Sequence, residues 1–252
     1  VVIEPGIGDA GRVWGGVIDA LSRETMVVLY ERAGYGDSDP GPMPRSADKV
    51  VRELSALLTS TPVDPPYIVV GHSLGAMHAL LYASEHPNQV DGLVLLDPPP
   101  LGFIKGERFP RLQEMAEQMT AGFRRDAETA REAGNERQAL FMEAVASEHE
   151  AMFQSGWKWM ASVRSLGDIP LVVIASGVPN PEFGDDAAEF QRYWSRSSEE
   201  LSSLSTRGRF VLLRDSTHDI PGDAPGEVID AVYWCIAESE MISDEEIWQG
   251  EK

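Results

Sequence analysis

The apolar positions of this chain fall into short unbroken runs separated by longer amphipathic stretches. The runs Val1–Glu4, Met26–Glu31, Tyr67–Gly71, Gly92–Asp97, Pro170–Ser176 and Arg209–Arg214 read as strands. Most are apolar at consecutive rather than alternate positions, as in strands covered on both faces. The stretches Val13–Ser22, Ala47–Thr59, Leu74–His86, Ala187–Ser203 and Pro225–Glu240 read as helices. Pro62, Pro65–Pro66 and Pro87–Asn88 punctuate the series. Strands alternating with helices predict an α/β fold: a mainly parallel sheet with helices on both faces.

One interval breaks the rhythm. Between Asp97 and Pro170 no strand pattern occurs. Phe109–Arg131 reads as a helix, Ala133–Asn135 as a turn and Gln138–Ser165 as a second helix. Met142, Val145 and Met152 recur there at helical spacing, with His149 among them. The expectation is a helical lid insertion. It divides the chain into a first core part (1–97), a lid (98–168) and a second core part (169–252). The plainer reading is a helical excursion packed on the sheet.

The stretch Tyr67–Gly75 carries the most chemistry. A buried strand runs into Gly71–His72–Ser73–Leu74–Gly75, and a helix follows at once. Gly-x-Ser-x-Gly is a weak pattern alone and a strong one between strand and helix, where it makes a nucleophile elbow. The tight turn strains the serine backbone and lifts its hydroxyl above the sheet at a helix start, where developing negative charge is favoured.

Serine needs a base to act as a nucleophile. Of the five histidines, His218 follows the last strand just before the final helix, so its loop can reach a serine at the carboxyl end of a neighbouring strand. The acid that orients the imidazole has three candidates. Asp97 is fixed at a strand terminus. Asp185 and Asp186 lie about ten residues beyond the strand Leu171–Ala175, in a Pro/Gly-rich loop. Asp97 is the expected acid.

These residues resemble the α/β-hydrolase superfamily over nearly the whole chain. The likeness runs from Glu4–Pro5–Gly6–Ile7–Gly8 through Arg32–Ala33–Gly34–Tyr35–Gly36–Asp37–Ser38 to Gly71–Gly75, Gly92–Asp97 and His218. The Arg-Ala-Gly-Tyr-Gly-x-Ser segment is similar to the lidded branch of esterases, epoxide hydrolases, dehalogenases and haloperoxidases. Ser rather than Asp at the elbow points to acyl transfer. The resemblance implies an oxyanion hole made by the backbone N–H groups of Ile7 and Leu74, with Pro5–Gly6 standing where the family usually has His-Gly. It also implies an acid after the strand matching Leu171–Ala175, yet Gly177–Val178–Pro179–Asn180 has no carboxylate there. Some members place the acid where Asp97 stands. The family further has two strands upstream of the one matching Val1–Glu4. Their absence would leave Met26–Tyr30 as an apolar sheet edge, so either an upstream strand pair or self-association as a homo-oligomer is expected.

Composition narrows the partners. The 252 residues carry 41 Asp+Glu against 21 Lys+Arg, a net charge of −20. Such a surface repels phosphate backbones and anionic lipid, which argues against nucleic-acid and membrane partners. The single cysteine, Cys235, allows no internal disulfide. No apolar run has the length of a membrane span and no signal peptide is read, so a cytoplasmic location is expected. No cofactor and no metal are expected. The insertion offers Met142, His149, Met152 and Trp157 to a small apolar ester or acyl substrate. A serine carboxylesterase is the leading expectation. A perhydrolase or haloperoxidase, an acyltransferase, and a ligand receptor on the same fold are the alternatives.

Overall fold

Successive residues of a strand point to opposite faces, and strands apolar at both parities need cover on each. The computed structural model describes residues 1–250, and the side chains of residues 1–241. Its strands are β1 (Val2–Glu4), β2 (Val28–Leu29), β3 (Tyr67–His72), β4 (Val90–Leu96), β5 (Leu171–Ser176) and β6 (Gly208–Leu213). They form one sheet in the order β2-β1-β3-β4-β5-β6, and every pairing is parallel. Val2, Val69, Leu93, Leu95 and Val173 face one apolar cluster. Ile3, Val70, Val94, Leu96 and Ile174 face the other. Burying each such side chain contributes roughly 1.5–3 kcal/mol relative to leaving it exposed.

Helices α2 (Ala47–Ser60), α3 (Leu74–Glu85) and α8 (Ala187–Ser202) cover the first face. Helices α1 (Gly15–Leu21), α9 (Ile220–Asp223) and α10 (Pro225–Gly250) cover the second. The chain leaves β1 for β2 on one side, then returns to place β3 on the other. Strand order therefore reverses between β1 and β3, and the crevice beyond their carboxyl ends is where such sheets bind ligands. Registers align these ends: Glu4 pairs with Gly71, His72 with Leu96, and Leu96 with Ile174.

The interval between β4 and β5 is helical throughout its regular structure. It holds α4 (Leu101–Ile104), α5 (Pro110–Glu132), α6 (Glu136–Ala151) and α7 (Trp157–Ser162). Asn135 caps α6 by accepting from the Gln138 N–H at 3.2 Å. The helix expected over Gln138–Ser165 is interrupted by a π-helical turn, Met152–Gly156. The wider turn brings Gly156 so close to α3 that a Cβ there would meet Met77 at 3.0 Å. It also swings Met160 into the cluster that holds Leu80 and Leu95. Phe103, Ile104 and Leu112 join the same cluster, so much of this segment is core.

A second difference is at the sheet edge. The run Met26–Glu31 yields only two strand residues, Val28 and Leu29, paired with Val2 and Ile3. Beyond Leu29 the chain turns its polar side chains inward, the Tyr30 hydroxyl to Glu4 and Arg32 to Glu4 and Glu148.

The helix start after β3 lies tight against the end of β1. A Cβ on Gly75 would sit 2.2 Å from the Glu4 carbonyl oxygen and 2.3 Å from that of Pro5. Both are backbone atoms and have nowhere to go. Gly75→Ala is expected to cost about 3 kcal/mol or more, at the top of the usual overpacking range. Gly15 begins α1 with open space around it, so Gly15→Ala should stabilise by about 0.5 kcal/mol. Urea unfolding of both variants checks the pair, and equal midpoints would contradict the packing described.

Candidate active site

The strand–turn–helix sequence around Ser73 forms a sharp elbow. Ser73 adopts φ 54°, ψ −121°, outside the regions ordinary residues favour. A conformation of this kind costs on the order of 1–3 kcal/mol, and it is held by the Ser73 N–H donating to Leu96 O at 2.8 Å. A Cβ on Gly6 would lie 3.5 Å from Ser73 Cβ, so the loop after β1 abuts the serine. Among the described residues, the N–H groups of Ile7 and Leu74 donate to no protein acceptor. Two free donors thus flank the elbow.

Asp97 follows β4 and also has a positive φ, 47°. Its N–H donates to Ile174 O at 2.7 Å. Its carboxylate is buried and accepts three hydrogen bonds. The Ser176 N–H donates at 3.0 Å, the Ser176 hydroxyl at 2.7 Å and His218 Nδ1–H at 2.7 Å. Gln191 Nε2 in turn donates to Ser176 O at 2.7 Å and Ser176 Oγ at 3.1 Å. The orientation of the Asp97 carboxylate therefore rests on the end of β5 and on α8. Asp185 and Asp186 lie in the 3-10 turn Pro181–Asp186 and make no hydrogen bond to His218.

His218 is held from behind. His72 Nε2–H donates to the His218 carbonyl at 2.7 Å. Burial, aided by the nearby His218, pushes the His72 imidazole down to about 3. A neutral ring has one N–H, so the bond to His218 fixes the proton on Nε2 and leaves Nδ1 buried without a partner. The Trp194 ring meets the His218 ring edge-on at 5.6 Å. Thr217, beside it, donates through N–H and hydroxyl to Asp223 at 2.8 and 2.6 Å. The His218 side chain itself remains 47% exposed, open to a substrate. Ser73 Oγ and His218 share no hydrogen bond among the described residues. Such bonds are often long before substrate binds.

The remaining expected site residues lie in the helical segment. Met152 and Trp157 pack against the cluster that contains Leu74 and Met77. Met142 is half-buried on α6. His149 is buried, with Nδ1 bonded to Thr120 Oγ1 at 2.7 Å and its ring against Phe123 and Phe153. None of these contacts is with Ser73, Asp97 or His218.

Several residues around the site escape the sequence patterns: Ser176, Gln191 and Trp194 behind Asp97 and His218, and part of a charged cluster below the loop after β1. That cluster joins Glu4, Arg32, Tyr35, Arg45, His78 and Glu148. Two signals point to it: a carboxylate, Glu4, ending an otherwise apolar strand, and the Arg32–Ser38 segment that carries the family resemblance.

A serine on a strand–helix elbow, together with a histidine bonded to an aspartate at the carboxyl end of a parallel sheet, defines a protein of the α/β-hydrolase class. Residues 1–157 match the family model for the alpha/beta hydrolase fold. The chain belongs to that family. The uncharacterized protein YqjL of Bacillus subtilis (strain 168) is 30% identical over 239 residues, 94% of this chain and 84% of that protein. Lipase LipV of Mycobacterium tuberculosis (strain ATCC 25618 / H37Rv) is 39% identical over 93 residues, 37% of this chain and 34% of that one. A thermophilic esterase from Thermogutta terrifontis, malate bound, shares the fold with a TM-score of 0.70 at 18% identity. The match covers 94% of this chain and 89% of that one. Family and relatives together mark a hydrolase.

His149 gives a pH-dependent test of its surroundings. Burial lowers its pKa from 6.5 to about 4. The unfolded chain therefore takes up the proton first. The stability that rests on neutral His149 is complete above about pH 6.5 and is lost as pH falls toward 4, by roughly 3 kcal/mol at the acid end. Between about pH 7 and about pH 4, wild type should lose roughly that much more unfolding free energy than His149→Gln. Parallel pH courses in urea titrations would show that the histidine is not buried as described.

Proposed function

We propose that this chain is a serine hydrolase that cleaves carboxylic esters or related small acyl compounds through an acyl-enzyme. The observation that carries the reading is the 2.7 Å bond between buried Asp97 and a half-exposed His218, beside a serine strained into an elbow. Ser73 Oγ attacks the carbonyl carbon as His218 Nε2 takes its proton. Asp97 keeps the other proton on Nδ1 and faces the imidazolium that forms. The tetrahedral oxyanion sits between the N–H groups of Ile7 and Leu74, each worth roughly 3 kcal/mol of barrier. His218 then gives its proton to the leaving alcohol. Water, activated by the same histidine, releases the acid and restores Ser73.

The similarity of one segment to a lipase supports ester chemistry. The helical segment acts as the lid in this reading. Met152 and Trp157 line the acyl side, and Met142 and His149 shape it from the next turns of α6.

Labelling with a fluorophosphonate, followed by a panel of p-nitrophenyl esters of varied acyl length, tests the proposal. Ser73 should be the labelled residue and turnover should continue past the first equivalent. Ser73→Ala and His218→Ala should each lower kcat by about 10⁴-fold or more, with melting temperatures close to wild type. Asp97→Asn should lower it by about 10³- to 10⁴-fold, while Asp185→Asn and Asp186→Asn stay near wild type. A single burst without turnover would favour a ligand receptor. A fully active Ser73→Ala variant would end the reading.

A further inference from the structure

The charged cluster beneath the loop after β1 is larger than the fold needs. Arg32, 2% exposed, directs its whole guanidinium into it. Nη1 donates to Glu4 Oε1 at 3.0 Å and to Pro5 O at 2.7 Å. Nη2 donates to Gly6 O at 2.9 Å and lies 3.0 Å from Glu148 Oε2. Nε donates to both Glu148 oxygens at 3.1 Å. Glu148 belongs to α6, and it also accepts from the Tyr35 hydroxyl at 2.7 Å. The Gly8 N–H donates to that same hydroxyl at 3.3 Å. The loop is thus tied at Pro5, Gly6 and Gly8, with Ile7 the unbonded residue between.

The peptide plane turns this into chemistry. The carbonyl and N–H of one trans peptide point in opposite directions. The peptide between Gly6 and Ile7 is trans. Arg32 holds its oxygen on the buried side, so its N–H faces away from Arg32, in a loop that abuts Ser73. Without that anchor only the Asp9 N–H, at 3.4 Å, still holds the Gly6 oxygen, and a plane that turned would present a carbonyl oxygen where the oxyanion forms. Holding the Pro5 carbonyl as well fixes the plane before it.

We propose that Arg32 is the positioning residue of the oxyanion hole, and that Glu148 makes its grip depend on the docking of α6. The proposal rests on the serine-hydrolase reading of Ser73. Arg32 touches no substrate in it; its effect passes through the Ile7 N–H. Glu148 carries the link across the fold, because one carboxylate holds both Arg32 and the tyrosine that holds Gly8.

Arg32→Lys tests this in the full chain. Lysine keeps a positive charge between Glu4 and Glu148, but its single ammonium cannot hold two carbonyls and two carboxylates in a fixed plane. Glu148→Gln is the second variant; it leaves Arg32 in place and loosens only the tie to α6. Two readouts are taken on each. Hydrogen exchange of peptides covering residues 5–9 reports the order of the loop, whatever the catalysis. The rate of Ser73 phosphonylation by a fluorophosphonate, with kcat and KM for a p-nitrophenyl ester, reports the oxyanion hole. Arg32→Lys should speed exchange in 5–9 while β3 and β4 stay protected. It should slow phosphonylation and lower kcat by about 10- to 100-fold, with KM changing by less than about threefold. The pH midpoint of kcat/KM should not move, since Asp97 and His218 are untouched. Glu148→Gln should shift both readouts the same way, by less. Unchanged exchange in 5–9 overturns the proposal, and so does a loosened loop with wild-type Ser73 reactivity. A wild-type chain that the fluorophosphonate leaves unlabelled overturns the serine-hydrolase reading and the oxyanion role together. A labelled wild type with indifferent variants overturns the oxyanion role alone.

Discussion

The close approach of α3 to the end of β1 governs the rest of this structure. Gly75 lies against the Glu4 and Pro5 carbonyls at distances that leave no room for a side chain. That contact draws the elbow and the following loop into one crevice at the point where strand order reverses. Parallel pairing then brings Asp97 and Ser176 to the same edge of the sheet as Ser73. No single element builds the site; the shared register of five carboxyl ends does. His218 is the only candidate that reaches in from a loop following an edge strand, and it is correspondingly the most heavily braced, by His72, Trp194 and the Thr217–Asp223 bonds.

The position of Asp97 illustrates how a neighbouring strand substitutes for another. Ser176 ends β5, the strand after which the family resemblance would look for the carboxylate. Here Ser176 supplies two hydrogen bonds to a carboxylate on β4. The strand that lacks the acid thus holds it. Buried carboxylates need donors to offset lost water, and Asp97 draws three from three directions.

Much of this was legible from the chain because the central strands are apolar at both parities and the elbow is local in sequence. Ser73, its flanking glycines and the strand–helix context all lie within nine residues of one another. Asp97 comes directly after β4 and His218 lies in the loop after β6, positions that the strand pattern marks. What escaped was non-local or packing-driven. β2 keeps only two residues of an apolar run of five, a pairing that its own propensity does not fix. The π-helical turn at Met152–Gly156 sets Gly156 against Met77, a fit that periodicity does not encode. Gln191 reaches Ser176 from a helix whose sequence reads simply as amphipathic. The Glu4–Arg32–Glu148 cluster joins residues 28 and 116 apart in the chain, and no local pattern pairs them. The expected strand pair upstream of β1 concerns residues outside this sequence.

That cluster is an odd choice if stability alone were at stake. Burying two carboxylates and a guanidinium gives up their hydration, and well-packed apolar residues of the same volume are often as stabilising or more so. Burial pushes the Glu4 carboxyl up, yet the His78 bond and the Arg32 charge together hold it below its ordinary value. The Glu4 carboxylate is thus kept as an acceptor for the guanidinium beside it. An apolar core under the loop would fill the same space but would have no preferred direction for a peptide plane. A planar guanidinium with its donors at fixed angles does have one. The ionic cluster therefore makes sense as a device for orienting backbone carbonyls, and through them the N–H groups on the opposite side of each peptide. Its cost in hydration is the cost of that orientation, and it is met where the loop stands next to Ser73.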